Sequence, residues 1–484
     1  YREGPGGIVV VSEPIDGQMV TEAAGTITVD RTKAVIDAKA KLNGVPAQIE
    51  ATEPVGKSGT QRQRLITMAL TDKTREVMAP GISDLVKGTV KVTVDATEPG
   101  RKQIKADLTG AQLDIPWAGW TKGPGIASDV SFLLEADGDS VTLSDFFLSG
   151  STFGINGDIA LSGGGLSSAK FAKVRLNRDD SVAVAIKRSG KGLSVDIRGA
   201  SLDARSVVRQ FTADTSTATK ASNTGSVAVH LDVDTLTGFH GERFSGVKLD
   251  YSGSGDKVNS LVVTAKASSG AGVQIRNIAD GGSRSMQMQS DDAGAVLRFL
   301  DIYEHMEGGK IALALNGASD GQMTGQVDAR DFFIVNEPRM NSIVATKAPT
   351  ENGRSMSLNE AVKRDIDTSR VKFDRGFTQI SKGTGELTLA NGVLRGPVIG
   401  ATFQGTLYDK QGNMDMTGTF MPAYGINRLF GELPIVGLLL GNGRDRGLLG
   451  VTFKLEGDAD SPDVSINPLS IVAPGIFRSI FEFR

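Results

Sequence analysis

Apolar and polar residues alternate one by one in short segments from end to end of this 484-residue chain. Thr26-Ile27-Thr28-Val29-Asp30, Lys91-Val92-Thr93-Val94-Asp95 and Ser194-Val195-Asp196-Ile197-Arg198 show the pattern. So do Val227-Ala228-Val229-His230-Leu231-Asp232-Val233 and Asn413-Met414-Asp415-Met416-Thr417. Successive side chains of a strand point to opposite faces, so period 2 predicts strands with one apolar and one wet face, as in antiparallel sheets. The pairs Asn43-Gly44, Asp137-Gly138, Asn156-Gly157, Asn391-Gly392 and Gln411-Gly412 read as tight turns between them. Segments of this kind, spaced ~8–14 residues apart, predict a long meander. The 60 glycines agree with many tight turns, since they are roughly one residue in eight where ~7% is usual.

Helical spacing is confined to a few stretches: 72–86, broken near Pro80, then 203–211, 292–306, 358–366 and 426–440, bent at Pro434. Asp203 and Asp292 suit the N-terminal caps of two of them. Asp203-Ala204-x-x-Val207-Val208-Arg209 recurs as Asp292-Ala293-x-x-Val296-Leu297-Arg298. A strand–helix unit that repeats inside a strand-rich chain predicts a modular fold. The expected division is 1–211 and 212–306, each ending in a helix, then 307–484.

A sheet with one apolar face must hide that face. Helices totalling ~70 residues cannot cover ~30 strands. The sheet then closes on itself as a sandwich or barrel, or it curls into an open gutter that holds acyl chains. Alternation alone does not choose between these. A gutter of ~30 strands at ~4.8 Å would be about 140 Å long at most, and each buried CH₂ of an acyl chain would contribute about 0.8 kcal/mol.

Net charge is -3, with no basic surplus for nucleic acid. Cysteine is absent, which excludes disulfides, thiolate metal sites and cysteine nucleophiles. That absence suits an oxidising compartment, although cytosolic chains also lack cysteine. No apolar run reaches the ~18 residues of a membrane-spanning helix. His230, His240 and His305 are scattered without metal-ligand spacing. Gly441-x-Gly443-x-x-x-Gly447 lacks phosphate-loop spacing and reads as a turn carrying Arg444 and Arg446. Asp179-Asp180 and Asp291-Asp292 sit at turns or caps. Only Trp117 and Trp120 supply indole rings, few for a sugar-cleaving cleft. No catalytic residue, metal or cofactor is expected.

Two apolar tracts close the chain. Leu429, Phe430, Leu433, Ile435, Leu438 and Leu439 belong to the bent helix at 426–440. Ile476, Phe477, Ile480 and Phe481 form an i, i+1, i+4, i+5 stripe after Pro474, which suits a first helical turn. Helices this short need a surface, either the sheet end or a membrane interface.

Four segments carry a family resemblance. They are Leu113-Asp114-Ile115-Pro116-Trp117-Ala118-Gly119-Trp120-Thr121-Lys122-Gly123-Pro124-Gly125, Gly199-Ala200-Ser201-Leu202-Asp203-Ala204-Arg205, and Asp292-Ala293-Gly294 through Tyr303-Glu304-His305-Met306-Glu307-Gly308-Gly309. The fourth runs from Gly385-Glu386-Leu387 through Asn467-Pro468-Leu469-Ser470 to Ala473-Pro474-Gly475-Ile476. Together they resemble the AsmA-like superfamily, specifically large YhdP-type proteins with an AsmA-like C-terminal region. The likeness is strongest after about position 370.

The resemblance implies a periplasmic body tethered to the inner membrane by a segment outside this chain. It implies a non-enzymatic, bridge-like carrier of phospholipids between inner and outer membranes, supporting outer-membrane biogenesis and barrier integrity. Its partners would be phospholipids, both membranes and envelope proteins. The expected fold is mainly β: a long, strongly curved, repeat-built antiparallel sheet forming an open groove, with few short helices and C-terminal amphipathic helices. Val92, Val94, Val195, Ile197, Val227, Val229, Met414 and Met416 would line the groove. The alternatives are an outer-membrane assembly scaffold with a dry core and, more remotely, a carbohydrate-active β-repeat enzyme.

Overall fold

A computed structural model describes residues 19–98, 100–212, 225–255, 257–319, 321–345, 347–349, 355–357, 367–422, 451–459 and 461–467. Strand makes up 67% and helix 8%, so the chain is mainly β, as the alternation predicts. Two compact units divide it, Tyr1–Val207 and Val208–Arg484.

The first unit contains β1 (Val20–Val29), β2 (Lys33–Leu42), β3 (Val45–Pro54), β4 (Gln63–Leu70), α1 (Asp72–Met78), β5 (Val86–Lys87), β6 (Val90–Asp95) and β7 (Arg101–Asp107). It continues with β8 (Gln112–Ile115), β9 (Trp120–Lys122), β10 (Ser128–Asp137), β11 (Ser140–Gly150), β12 (Gly154–Ser162), β13 (Gly165–Arg175), β14 (Ser181–Ser189) and β15 (Gly192–Asp203). α2 (Arg205–Thr212) follows. Antiparallel pairing runs β1-β2-β3-β4-β6-β7-β10. It then continues without a break through β11, β12, β13 and β14 to β15. β5, β8 and β9 form a separate small sheet.

The two ends of these strands differ. At one end, here the turn end, the links are short apart from the longer one at 55–62. Asn43-Gly44 is a tight turn at the opposite, loop end, both residues having positive φ (48° and 82°), as a two-residue hairpin of matching twist requires. The loop end also holds α1 and the small sheet, and β15 leads from it into α2, which crosses the boundary between the units. Leu42, Val45, Met68, Leu70, Val90 and Phe153 belong to a buried cluster there, against which Met78 of α1, Val86 of β5 and Trp120 of β9 pack. Buried Lys122 donates to the carbonyls of Leu108 at 2.6 Å and Ala111 at 2.8 Å, and burial pushes its pKa down.

The second unit contains β16 (Ser226–Thr237), β17 (Arg243–Ser254), β18 (Lys257–Lys266), β19 (Gly272–Asp280), β20 (Ser283–Ser290), α3 (Ala293–Phe299), β21 (Met306–Ala318) and β22 (Met323–Val335). Then come α4 (Pro338–Ala345), β23 (Lys347–Pro349), β24 (Ser355–Ser357), β25 (Arg370–Gly383), β26 (Glu386–Arg395), β27 (Ile399–Tyr408), β28 (Asn413–Pro422), β29 (Val451–Asp458) and β30 (Asp463–Asn467). Apart from the β23–β24 pair, these strands form one antiparallel meander in chain order, with β22 beside β25. The meander ends β26-β27-β28-β29-β30. Again the helices sit at one end. Phe299 of α3 stacks on Phe244 with centroids 4.0 Å apart, and Arg298 pairs with Glu242 at 2.7 Å. Neither meander closes into a barrel.

Bulges and glycines bend the sheets. Each pairing from β10–β11 to β14–β15 contains a register shift, and bulges increase local twist and curvature. Two sequence expectations are corrected at such places. Asn156-Gly157 and Asn391-Gly392 are not turns: they lie inside β12 and β26, at register shifts. A Cβ on Gly157 would collide with the backbone of Lys170 and Phe171, and one on Gly392 would enter the Phe403 ring. Glycine here admits a neighbouring strand rather than reversing the chain.

Helix boundaries also shift. The stretch 72–86 holds α1, a 3₁₀ turn at Pro80–Ile82, and β5. The helix expected over 203–211 is α2. The one expected over 292–306 ends at Phe299 because Asp301 takes a left-handed backbone, φ 58°. Its cap is as expected, with Asp292 accepting from the Ala295 N–H at 3.0 Å. α4 has no counterpart in the sequence reading. The helices expected at 358–366 and 426–440, and the C-terminal stripe, lie outside the described residues.

Candidate functional site

Register defines the apolar face of each unit. In the first, Val92 and Val94 oppose Met68 and Ile66 on one side and Ala106 and Ile104 on the other. Ile104 opposes Phe132, which stacks on Phe146, and Phe146 opposes Gly157, itself opposite Phe171. Phe171 opposes Val184, and Val184 opposes Ile197, with Val195 opposite Ile186. Val92, Val94, Val195 and Ile197 therefore share one face across these strands. In the second unit, Val227 and Val229 oppose Gly253 and Tyr251, and successive pairs carry their face to Met416, opposite Gly405 and Leu455. Met414, two residues before Met416, lies on that face as well.

Burial on the face is graded. On β2 it rises from half-buried Ala34 and Ile36 near the turn end to buried Ala40 and Leu42 at the loop end. Val92 is buried, whereas Val94, Val195 and Ile197 are half-buried. On edge strand β1, Ile27 and Val29, opposite Ile36 and Ala34, are 65% and 58% exposed. On β16, Val227 and Val229 are half-buried and Val233 is 1% exposed. Met414 and Met416 differ, being buried although they lie toward the turn end of β28. The face is thus dry at the loop end and accessible along much of its middle.

Among the described strand residues, charge on this face is confined to one row, the second residue from the turn end of a strand. Glu53, Arg64, Lys102 and Arg188 hold such positions in the first unit, and Arg284 and Lys382 in the second. Glu53 pairs with Arg62 at 2.9 Å and with Arg64. Burial raises its pKa, but those guanidinium partners win and hold it below the usual carboxylate range. Arg188 donates to the Leu166 carbonyl at 2.9 Å. Arg284 donates to the Val258 carbonyl at 2.9 Å, and Lys382 to the Tyr408 hydroxyl at 3.2 Å.

Two hollows lie mainly on the opposite, polar face of the second unit. One, of about 510 Å³, is lined by residues including Asn316, Thr324, Gln326 and Gln379. The other, of about 460 Å³, borders Gln274, Gln289, Lys310 and Arg330. Small and amide side chains dominate the first. In the second, Asp328 is held by Arg330 and Arg375. Ser290, the one hydroxyl bordering the second, donates to the Asp292 carbonyl at 3.3 Å.

The histidines stay apart. His230 pairs with Asp250 at 2.7 Å on the wet face, His240 with Asp301 at 2.7 Å, and His305 with the Val335 carbonyl at 3.0 Å. Among the described residues no cluster could hold a metal. Asp180 is buried beneath the β13–β14 turn, where its carboxylate accepts from the N–H groups of Leu176, Asn177 and Asp203. Trp120 is packed inward, and Trp117 is 70% exposed. Leu429, Phe430, Leu433, Ile435, Leu438, Leu439, Ile476, Phe477, Ile480 and Phe481 lie outside the described residues. The row of inward charges was missed in the sequence, where each looks like an ordinary strand-end residue.

Comparison with the models of known families and with curated proteins finds no match.

Proposed function

We propose that the apolar faces carry phospholipid acyl chains, and that the protein moves phospholipids between the inner and outer membranes without chemistry of its own. One observation carries this reading: an apolar face that continues across every strand of each meander, dry at one end and accessible along much of its middle. Four short helices, gathered at the loop ends, leave most of that face without a second layer among the described residues. Acyl chains would replace water there, at about 0.8 kcal/mol per CH₂. Neighbouring positions are chemically alike, so a bound chain exchanges like for like as it slides. A periplasmic setting rests on the sequence resemblance and accords with the absence of cysteine.

The buried cluster at the loop end of the first unit favours the second reading, a dry-cored assembly scaffold. One experiment separates the two. Photo-crosslinking side chains are placed at Val195 and Val229, with wet-face Thr93 and His230 as controls, and adducts are read by mass spectrometry. Phospholipid adducts at the first pair and not at the controls are expected. Absence of adducts at Val195 and Val229, with no phospholipid extracted from the purified protein, would remove the basis of lipid carriage.

A further inference from the structure

Among the described strand residues, basic side chains predominate among the charges on the apolar faces, and these charges all lie in the row beside the turn end. Lys102 and Arg188 in the first unit, and Arg284 and Lys382 in the second, are such positions. The whole chain has more acidic than basic residues, 56 against 53, so the excess in this row opposes the overall composition. Arg64 is already engaged by Glu53, the acidic member of the row.

We infer that this row is a track for anionic headgroups, so that each lipid lies with its phosphate at the turn end and its tails toward the loop end. The inference rests on the proposed function and adds the orientation and head chemistry of the cargo. The burial gradient along β2, β4 and β14, and along β16 and β20, agrees with it: tails enter the dry end and heads stay where water reaches. Beside Lys382 the face is buried up to Met323, so there only the row itself lies at the boundary. Lysine and arginine stems lie on apolar surface while their charged heads reach the boundary.

Spacing makes the row a track rather than one phosphate pocket. Within the first unit Lys102 and Arg188 stand on strands five apart, about 24 Å along the sheet. Within the second, Arg284 and Lys382 stand on strands three apart, about 14 Å. Each cation therefore meets a different head, or one head in succession. A cation near an anionic lipid changes affinity by about fivefold.

The test uses the full chain and acyl-labelled probes: phosphatidylglycerol, which is anionic, and diacylglycerol, which has no charged head. Binding is followed by fluorescence at low and high salt. Wild type is expected to prefer phosphatidylglycerol by at least about fivefold at low salt, and to lose that preference at high salt. The combined variant Lys102→Gln, Arg188→Gln, Arg284→Gln, Lys382→Gln is expected to bring the ratio toward one. Thermal unfolding verifies that it folds, and the pairs Lys102→Gln with Arg188→Gln, and Arg284→Gln with Lys382→Gln, replace it if it does not. Equal binding of both probes by wild type, or a preference untouched by the substitutions, would overturn the headgroup track and leave lipid carriage standing. Failure of both probes to bind would remove lipid carriage and the track with it.

Discussion

The indole N–H of Trp120 donates to the main-chain carbonyl of Leu176 at 2.8 Å. This bond ties the small sheet over the loop end to the turn that follows β13, 56 residues away. Trp120 also meets Phe153 edge-to-face, with centroids 5.0 Å apart. Replacing Trp120 by Phe keeps much of the packing and removes the bond, for a loss of about 1 kcal/mol. Replacing it by Ala also opens a cavity, for a loss of about 3–5 kcal/mol. Urea unfolding of the two variants measures the difference. Equal losses would mean that the ring packing contributes nothing beyond the bond, and no loss in the Phe variant would mean that the bond contributes nothing.

Position along a strand decides what an inward charge does. Val94→Asp, second from the turn end of β6, and Ile197→Asp, in the middle of β15, fall on half-buried positions of the face and are expected to leave folding intact while blocking acyl-chain binding. Val233→Asp, at a position 1% exposed, is expected to unfold the second unit, because an unpaired buried carboxylate costs several kcal/mol. Circular dichroism melts and a labelled-lipid binding assay check both outcomes. Unfolding of the first two variants would show that the middle of the face is closed core.

Asp292 caps α3 through Ala295 and receives the Ser269 hydroxyl at 2.6 Å. Asp292→Ala is expected to cost about 1 kcal/mol and to speed amide exchange in Val296–Phe299 by hydrogen-exchange mass spectrometry. Asp292→Asn, which still caps, is expected to restore most of the loss.

Glu53 supplies a dependence on acidity. Its folded pKa lies below its ordinary 4.5, so its ion pairs stabilise fully above that value and are lost as pH falls through the folded one. Wild type is therefore expected to lose melting temperature below pH 4.5 more steeply than Glu53→Gln. The contribution is at most about 1 kcal/mol, because water screens partly exposed pairs. Parallel acid limbs for the two proteins would contradict it.

Alternation made the strands and the apolar face legible from local sequence. Val92, Val94, Val195 and Ile197 share a face, which period 2 alone implies within a strand and which register extends between strands. The functions of Asn156-Gly157 and Asn391-Gly392 were not legible, because the same dipeptide serves a hairpin or a bulge. Phe171 and Phe403 on neighbouring strands decide the matter. The true end of α3 depends on Asp301, whose side chain meets His240, 61 residues earlier. The inward cations were hidden for a similar reason: Lys102 and Arg188 are related only by their equal distance from separate turns.

The gathering of helices and small sheet at one end of the strands, with short turns at the other, has a consequence for how such a protein can grow. A hairpin spliced in at a short turn sends the chain out and back and returns it where it started. The apolar face lengthens by two strand widths, about 10 Å, and the one new turn falls at the loop end between the two parted strands. Reach is then set by the number of hairpins, in steps of one unit, and a chain can be fitted to a wider gap by duplication.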